Sequence, residues 1–104
     1  MSIGGRWRIV ATPGYDMALA GACILFDESG GEFAIDCLTG SIHGACNSDT
    51  IDFDWQGNDA MELASGDGWA ELQNDGSLEG EICLLNGDDI TFIARRTKTS
   101  STAC

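Results

Sequence analysis

Acidic side chains that alternate with apolar ones carry the clearest chemical signal in this sequence. Between residues 51 and 56, Asp52 and Asp54 alternate with large apolar residues, and acids alternate in a similar way elsewhere. Those placed on outward strand faces form the predicted acidic set: Glu32, Asp36, Asp52, Asp54, Glu79 and Glu81. Same-face residues of a strand lie about 7 Å apart, a scale comparable with nucleic-acid phosphates, one per roughly 3.4 Å of axial rise. We predict that this set binds a basic protein surface. The partner could be a nucleic-acid-binding protein, which the acids would inhibit by imitating an array of phosphates.

The overall charge supports the same interpretation. The 104 residues include 17 Asp and Glu against 5 Lys and Arg, which gives a net charge of −12. No Lys or Arg lies between Ile9 and Ala94, and all 17 acids lie within that interval. Such a surface repels nucleic acids and anionic membranes, so we predict direct binding to neither. A soluble acidic surface without a partner is the alternative.

Residues that commonly support catalysis are few in the sequence. His43 is the only histidine, and no local nucleophile completes a Ser-His-Asp or Cys-His order around it. Residues 52–63 match a calcium-binding loop only in part, because Leu63 stands where the bidentate glutamate should be. The sequence has neither a phosphate-binding glycine loop nor a histidine cluster. We therefore predict that the protein is not an enzyme and has no metal or cofactor.

Cysteine usage and the N-terminus predict the compartment. The five cysteines are an odd number and include no CxxC motif, which favours small buried apolar residues plus one thiol in the tail, in a reducing compartment. The N-terminus has no apolar run of signal-peptide length, and no segment approaches the length of a membrane span. These features predict a soluble cytoplasmic protein.

Alternation with a period of two, between turn-forming residues, predicts an all-β chain. Eight strands are expected, over residues 5–12, 20–27, 32–38, 41–47, 50–56, 59–73, 78–85 and 89–95. Short turns without a long crossover favour a small antiparallel up-and-down β-barrel of about eight strands, with the streptavidin and lipocalin architecture. We predict one barrel domain at residues 1–96 and a flexible polar tail at residues 97–104.

Glycine and asparagine positions predict where the strands turn or distort. Turns are expected at residues 29–31, 39–40, 57–58 and 74–77, and Asn86-Gly87 is the strongest hairpin signal. In the sixth strand Trp69 and Leu72 differ in parity, so Gly66 and Gly68 are predicted to form a bulge.

The predicted barrel interior is rich in aromatic residues. Six of them alternate inward: Trp7, Phe26, Phe33, Phe53, Trp55 and Phe92. An eight-stranded barrel is just wide enough to be filled by side chains or to hold one small ligand, and this list favours a filled interior. The alternative is a small-molecule site at the barrel mouth, lined by Tyr15, Trp55, Asn58 and Trp69.

Outward positions on strands eight, one and two are apolar rather than acidic. They form the apolar patch, which consists of Val10, Cys23, Leu25 and Ile93 and is flanked by arginines. Barrel closure would make these strands neighbours, and exposed apolar patches usually mark interfaces. We predict a homodimer through this patch, with coverage by the tail as the alternative. A structural dimerisation domain is therefore a further functional hypothesis.

Several sequence blocks resemble a family of short, uncharacterised bacterial proteins of about 100 residues. The blocks are GRWRIV at Gly5, EFAI at Glu32, GSIHGAC at Gly40, IDFDWQGND at Ile51, SGDGWAEL at Ser65, DGSLEGEI at Asp75 and GDDITFIAR at Gly87. The chain departs from the family pattern at Asn47, Gln56 and Leu84 or Leu85, where the family commonly has a basic residue, Glu and His. The resemblance implies one domain and a streptavidin-like or lipocalin-like β-barrel, and it transfers no functional site.

Overall fold

The structure, a computed structural model, describes residues 3–14, 19, 21–27, 30–46, 49–85 and 87–96, with backbone alone at residues 45 and 46. Eight strands are present: β1 Gly5–Ala11, β2 Cys23–Asp27, β3 Gly30–Ile35, β4 Leu38–Cys46, β5 Thr50–Asp59, β6 Glu62–Leu72, β7 Leu78–Leu84 and β8 Asp89–Arg96. The predicted tail at residues 97–104 lies outside the described residues. Among those residues, no helix is long and apolar enough to cross a membrane.

The strands form a closed antiparallel barrel in chain order, from β1 to β8. Each strand pairs with the next, and β8 pairs back onto β1 through Ile9 and Ala94. Closure gives both terminal strands a partner and leaves no open sheet edge. The all-β, eight-stranded, up-and-down prediction is confirmed.

Aromatic side chains fill the interior, as alternation predicted. The six inward aromatics are all buried, with exposures between 0 and 4%. The Phe33 and Trp55 rings meet edge to face with centroids 5.2 Å apart, which is a favoured aromatic geometry. Aliphatic residues such as Ile24 and Ile82 complete the same cluster.

Two predicted turns are wrong because their glycines lie inside strands, where an added Cβ would collide with neighbouring atoms. Gly40 and Gly57 lie opposite each other within β4 and β5. A Cβ at Gly40 would come within 2.8 Å of the rings of Phe33 and Trp55. The chain turns instead at Asp36-Cys37 and at Ala60-Met61, which are exposed. Asp36 and Ala60 both have positive φ, 55° and 59°, a conformation that aspartate accepts more readily than alanine.

The turn predicted at residues 29–31 is also displaced. Gly30 and Gly31 belong to β3 and pair with Asp27 and Phe26 of β2. The turn predicted at residues 74–77 is confirmed, since β6 ends at Leu72 and pairs there with Leu78.

The bulge predicted in the sixth strand is wrong as well. Pairing between β5 and β6 runs without a register shift, and Gly66 and Gly68 lie opposite Trp55 and Phe53. Gly68 leaves room for the Phe53 ring, and a Cβ at Gly66 would collide with the backbone of Cys83, so both glycines are accommodated within a regular pleat. The irregularity lies in β1, between Ile9 and Ala11, where the register with β8 shifts.

The N-terminal segment and the end of β8 close the barrel together. Ile3 is fully buried, and its carbonyl accepts a 2.8 Å hydrogen bond from Trp7 Nε1. The Arg96 guanidinium stacks over the Trp7 ring at 4.1 Å, and its Nη1 donates to the Gly4 carbonyl. Backbone and side-chain contacts thus anchor the residues before β1.

Candidate functional site

The most unusual surface is an exposed tryptophan surrounded by carboxylates on β5, β6 and β7. Trp69 lies directly opposite Asp52 of β5 and Glu81 of β7. Directly opposed side chains on one face have Cβ atoms about 4.5–5.5 Å apart. Asp67 and Glu71 flank Trp69 on its own strand, about 7 Å away along the same face. The tryptophan therefore has an acid as its nearest outward neighbour in all four directions.

Each of the three strands contributes two acids to this surface. We call it the Trp69 face; its members are Trp69, Asp52, Asp54, Asp67, Glu71, Glu79 and Glu81. Trp69 is 40% exposed, and only Glu81 among the acids is half-buried rather than exposed. No Lys or Arg occurs on any of these three strands.

The structure brings only four members of the predicted acidic set together. Asp52, Asp54, Glu79 and Glu81 belong to the Trp69 face. Glu32 lies elsewhere, opposite Leu25 of β2 and Ser41 of β4, and Asp36 occupies the turn after β3.

Three members of the Trp69 face were missed or misplaced by the sequence prediction. Asp67 and Glu71 were absent from the predicted set, and Trp69 was assigned to a ligand mouth. The alternation of Asp67, Trp69 and Glu71 could have revealed them. The hypothesis of a bulge at Gly66 and Gly68 obscured that alternation, because a bulge would have reset the parity.

A shallow groove of about 370 Å³ adjoins the Trp69 face. His43, Asp52, Asp54 and Asp67 contribute to its lining. His43 and Asp54 are directly opposed across β4 and β5, and both are exposed. The groove is thus an acidic depression beside the tryptophan, of a size that could receive the end of a basic side chain.

A thiol and two carboxylates converge at the other edge of the Trp69 face. Glu81, Cys83 and Asp89 present ligating atoms within 4.8 Å of one another, and the Cys83 Sγ lies 3.6 Å from Glu81 Oε1. Burial, followed by hydrogen bonding and negative charge from Asp89 and Glu81, raises the pKa of Cys83 from 9.0 to about 12. These atoms could ligate a cation only after the thiol loses its proton, which the raised pKa opposes.

The sequence contained a signal for this trio that the prediction did not use. Cys83 is paired with Asp89 because both flank the hairpin after β7 at equal distance. Cys83 and Asp89 each lie three positions from Asn86 of the strongest hairpin motif, one before it and one after it. A hairpin centred on that residue would have placed the thiol opposite the carboxylate.

The predicted ligand mouth is not assembled from its four residues. Trp55 is buried inside the barrel, and its Nε1 donates a 3.2 Å hydrogen bond to the Cys83 carbonyl. Trp69 faces outward, while Asn58 is exposed near the end of β5, opposite Leu63 rather than Trp69. Tyr15 lies outside the described residues. The filled interior also offers no support for a ligand among the inward aromatics.

The apolar patch lies on neighbouring strands as predicted, but its residues differ in exposure. Val10 is exposed, Leu25 and Ile93 are half-buried, and Cys23 is only 6% exposed. Cys23 takes part in a disulfide bond. The prediction that all five cysteines are thiols is therefore wrong at this position, whereas Cys37 and Cys83 are free.

No protein-family model, no curated protein and no solved structure matches this chain. Membership in the bacterial family that the sequence resembles therefore stays a prediction. The closed eight-stranded antiparallel barrel is seen directly in the structure and does not depend on such a match.

Proposed function

We propose that this protein is a non-enzymatic interaction module whose Trp69 face binds a basic surface on a partner protein. The observation that carries the proposal is the half-exposed indole of Trp69 with carboxylates at all four neighbouring outward positions. Unshielded carboxylates attract cations over a distance set by salt screening. The indole adds a contact that works only at short range.

Tryptophan is well suited to the centre of such a contact. Binding energy at protein interfaces concentrates in a few residues, among which Trp and Arg are enriched. An arginine over the indole face gains a cation–π interaction of about 0.5–2 kcal/mol, according to how far it is desolvated. Asp52 and Glu81, on either side of Trp69, can meanwhile accept hydrogen bonds from the same guanidinium. The geometry therefore favours a partner that presents arginine over a partner that presents only lysine.

Nucleic-acid-binding proteins form one class of partner with this chemistry, because their phosphate-binding surfaces are rich in arginine and lysine. The acids on the Trp69 face lie about 7 Å apart along β5 and along β7, and directly opposed acids such as Asp54 and Asp67 lie about 5 Å apart across strands. Occupation of such a surface would inhibit its binding to nucleic acid. A cytoplasmic location and membership in the resembled bacterial family belong to the same proposal.

An oligoarginine peptide and an oligolysine peptide of equal length provide a direct test. We expect both to bind the wild-type chain with an affinity that falls steeply with salt, and oligoarginine to bind more tightly. Trp69→Ala should remove that preference while leaving much of the salt-dependent binding. The quadruple variant Asp52→Asn, Asp54→Asn, Glu79→Gln, Glu81→Gln should lose both.

A double variant, Glu32→Gln with Asp36→Asn, serves as the control because it removes charge away from the Trp69 face. It is compared with Asp52→Asn plus Glu81→Gln, which removes the same charge next to Trp69. An equal loss of affinity in these two variants, or binding insensitive to salt, would contradict a specific site. A pull-down from host lysate, eluted with a salt gradient, would then identify the partner.

A further inference from the structure

We propose that the exposed end of the β5–β6 hairpin docks a short basic amphipathic segment of a partner protein, one whose apolar side chains are flanked by lysine or arginine. Three apolar residues form this site, which we call the hairpin tip: Met61, Leu63 and Leu85. The hairpin tip is separate from the Trp69 face and goes beyond the function proposed for that face, because the centre of its contact is apolar.

The hairpin tip holds the most exposed large apolar side chains in the part of the chain that the structure describes. Met61 is 98% exposed, Leu63 91% and Leu85 81%. Val10 and Trp69, the next in order, are only 41% and 40% exposed. Apolar residues scattered singly are ordinary on a protein surface, whereas a contiguous exposed cluster marks an interaction site.

Strand pairing makes the three residues contiguous. β6 extends past the end of β7, where the Leu85 N–H donates a 3.0 Å hydrogen bond to the Ser65 carbonyl. Leu63 lies two residues from Ser65 on the same outward face, so Leu63 and Leu85 are diagonal neighbours about 7–8 Å apart. Met61 precedes Leu63 by two residues, which places their Cα atoms at most about 7 Å apart. The three side chains therefore form one continuous apolar surface.

A shallow groove beside Leu63 extends this surface. It has a volume of about 380 Å³, and its lining includes Leu63, Gln56, Asn58 and Ser65. Leu63 is directly opposed to Asn58 across β6 and β5, as Ser65 is to Gln56, so these four residues border a depression between the two strands. None of them carries a charge, so an apolar side chain can enter the groove without desolvating an ion.

The charge around the hairpin tip identifies the kind of partner. Four exposed acids border the apolar residues: Asp59, Glu62, Asp67 and Asp89. The first two are directly opposed across the hairpin, and the last two are both paired with Cys83, two residues before Leu85. No Lys or Arg occurs on β2 through β7. These acids would repel a second copy or an anionic lipid surface, and they would attract lysine or arginine beside the apolar contact.

A synthetic helical peptide of leucine and lysine, with all its leucines on one side, tests the site. We expect the triple variant Met61→Ser, Leu63→Ser, Leu85→Ser to bind this peptide more weakly than the wild type by about tenfold or more, measured by fluorescence anisotropy. The three side chains are exposed, so the thermal unfolding midpoint should not change. Val10→Ser removes an exposed apolar side chain elsewhere and should leave the affinity unchanged. Equal affinity of the triple variant and the wild type overturns the proposal.

Two measurements on the wild-type chain locate the contact. A peptide of the same composition, reordered so that its leucines no longer share one side, should bind more weakly than the amphipathic peptide. Equal binding of the two peptides would reduce the contact to charge alone and overturn the proposal. The Met61 methyl resonance should shift when the amphipathic peptide is added, and a resonance that does not move at saturation excludes the hairpin tip as the docking site.

A charge variant tests whether the partner must be basic. Asp59→Asn combined with Glu62→Gln should weaken binding of the amphipathic peptide severalfold at low salt. Glu32→Gln combined with Asp49→Asn is the matched control, since it removes the same charge away from the hairpin tip. An equal loss of affinity in these two variants would overturn the assignment of a basic partner to this site.

Two further results separate the hairpin tip from other occupants and from the Trp69 face. Binding to phosphatidylcholine vesicles, or a homodimer, that the triple variant abolishes would assign the tip to a lipid surface or to a second copy and overturn the proposal. The triple variant should still bind oligoarginine more tightly than oligolysine, because Trp69 and its neighbouring acids are unchanged. Failure at the hairpin tip is therefore distinguishable from failure at the Trp69 face.

Discussion

The Arg96 guanidinium lies 4.1 Å from the centre of the Trp7 ring, and through this pair the last residue of β8 contacts the indole at the core of β1. Arg96 also donates a hydrogen bond to the carbonyl of Gly4. One side chain thereby links the N-terminal segment, the barrel seam and the core.

We predict that Arg96→Ala lowers the free energy of unfolding by about 1–3 kcal/mol, because the cation–π contact and a charged hydrogen bond are lost together. Chemical denaturation provides the measurement. Arg95→Ala is the control, since Arg95 is exposed and directly opposed to Arg8, so its removal should be neutral or slightly stabilising. Equal destabilisation by both variants would contradict the role assigned to Arg96.

Gly40 provides a prediction about core packing. A Cβ there would meet only the rings of Phe33 and Trp55 among its nearest atoms, so Gly40→Ala should cost about 1–3 kcal/mol through overpacking. Phe33→Leu in the Gly40→Ala background should cost less than Phe33→Leu alone, because the added methyl partly fills the lost ring. A denaturation double-mutant cycle measures this coupling, and strict additivity would argue against the contact.

Repulsion between acids on the Trp69 face should be measurable as a stability effect. Asp54 and Asp67 are directly opposed on β5 and β6, and like charges at such positions are destabilising. Asp67→Asn should therefore raise the free energy of unfolding by about 0.2–1 kcal/mol at low salt, with a smaller gain at high salt. Thermal unfolding of both proteins across a salt series provides the measurement. A gain in stability that does not change with salt would contradict charge repulsion as its cause.

The turn between β6 and β7 predicts a pH dependence. Asp75 Oδ1 accepts hydrogen bonds from the Ser77 hydroxyl and backbone N–H, at 2.6 and 2.9 Å, and these bonds lower the pKa of Asp75 below its ordinary value of 3.8. The contribution of Asp75 to stability is therefore fully present above that ordinary value and is lost as pH falls through the lowered pKa.

Ser77→Ala should raise the pKa of Asp75 toward its ordinary value, and NMR titration of the carboxyl resonance follows the shift directly. The stability difference between wild type and Asp75→Asn should also shrink as the pH drops below about 4. An Asp75 pKa unchanged by Ser77→Ala would show that the hydroxyl does not stabilise the carboxylate.

The raised pKa of Cys83 predicts low thiol reactivity. Only the thiolate is nucleophilic, so alkylation of Cys83 should be slow at neutral pH and should accelerate as pH rises toward about 12. Glu81→Gln combined with Asp89→Asn should lower the pKa and speed alkylation at a given pH, although burial, the largest cause, would remain. Cys37 in the same sample is the internal control, and a parallel change in its rate would indicate a general loss of structure.

The sequence alone determined the all-β class, the number of strands and the inward aromatic residues. These features depend on local physics: side chains alternate along every strand, and burial selects apolar residues on one face. The hairpins after β6 and β7 were also predictable, because their turn residues match the backbone conformations required. Residues such as Phe53 and Ile82 could therefore be placed in the core before any contact was known.

Only the tertiary structure decided which outward residues lie together. Trp69 is the centre of an acidic surface because β6 pairs with β5 and β7 in particular registers, in which Gly68 leaves room for the Phe53 ring. Alternation does not distinguish a glycine that makes a turn from one that makes room for an aromatic ring across the sheet. The burial of Cys23 is likewise a property of the folded chain, because alternation assigns it an outward direction but does not determine its exposure.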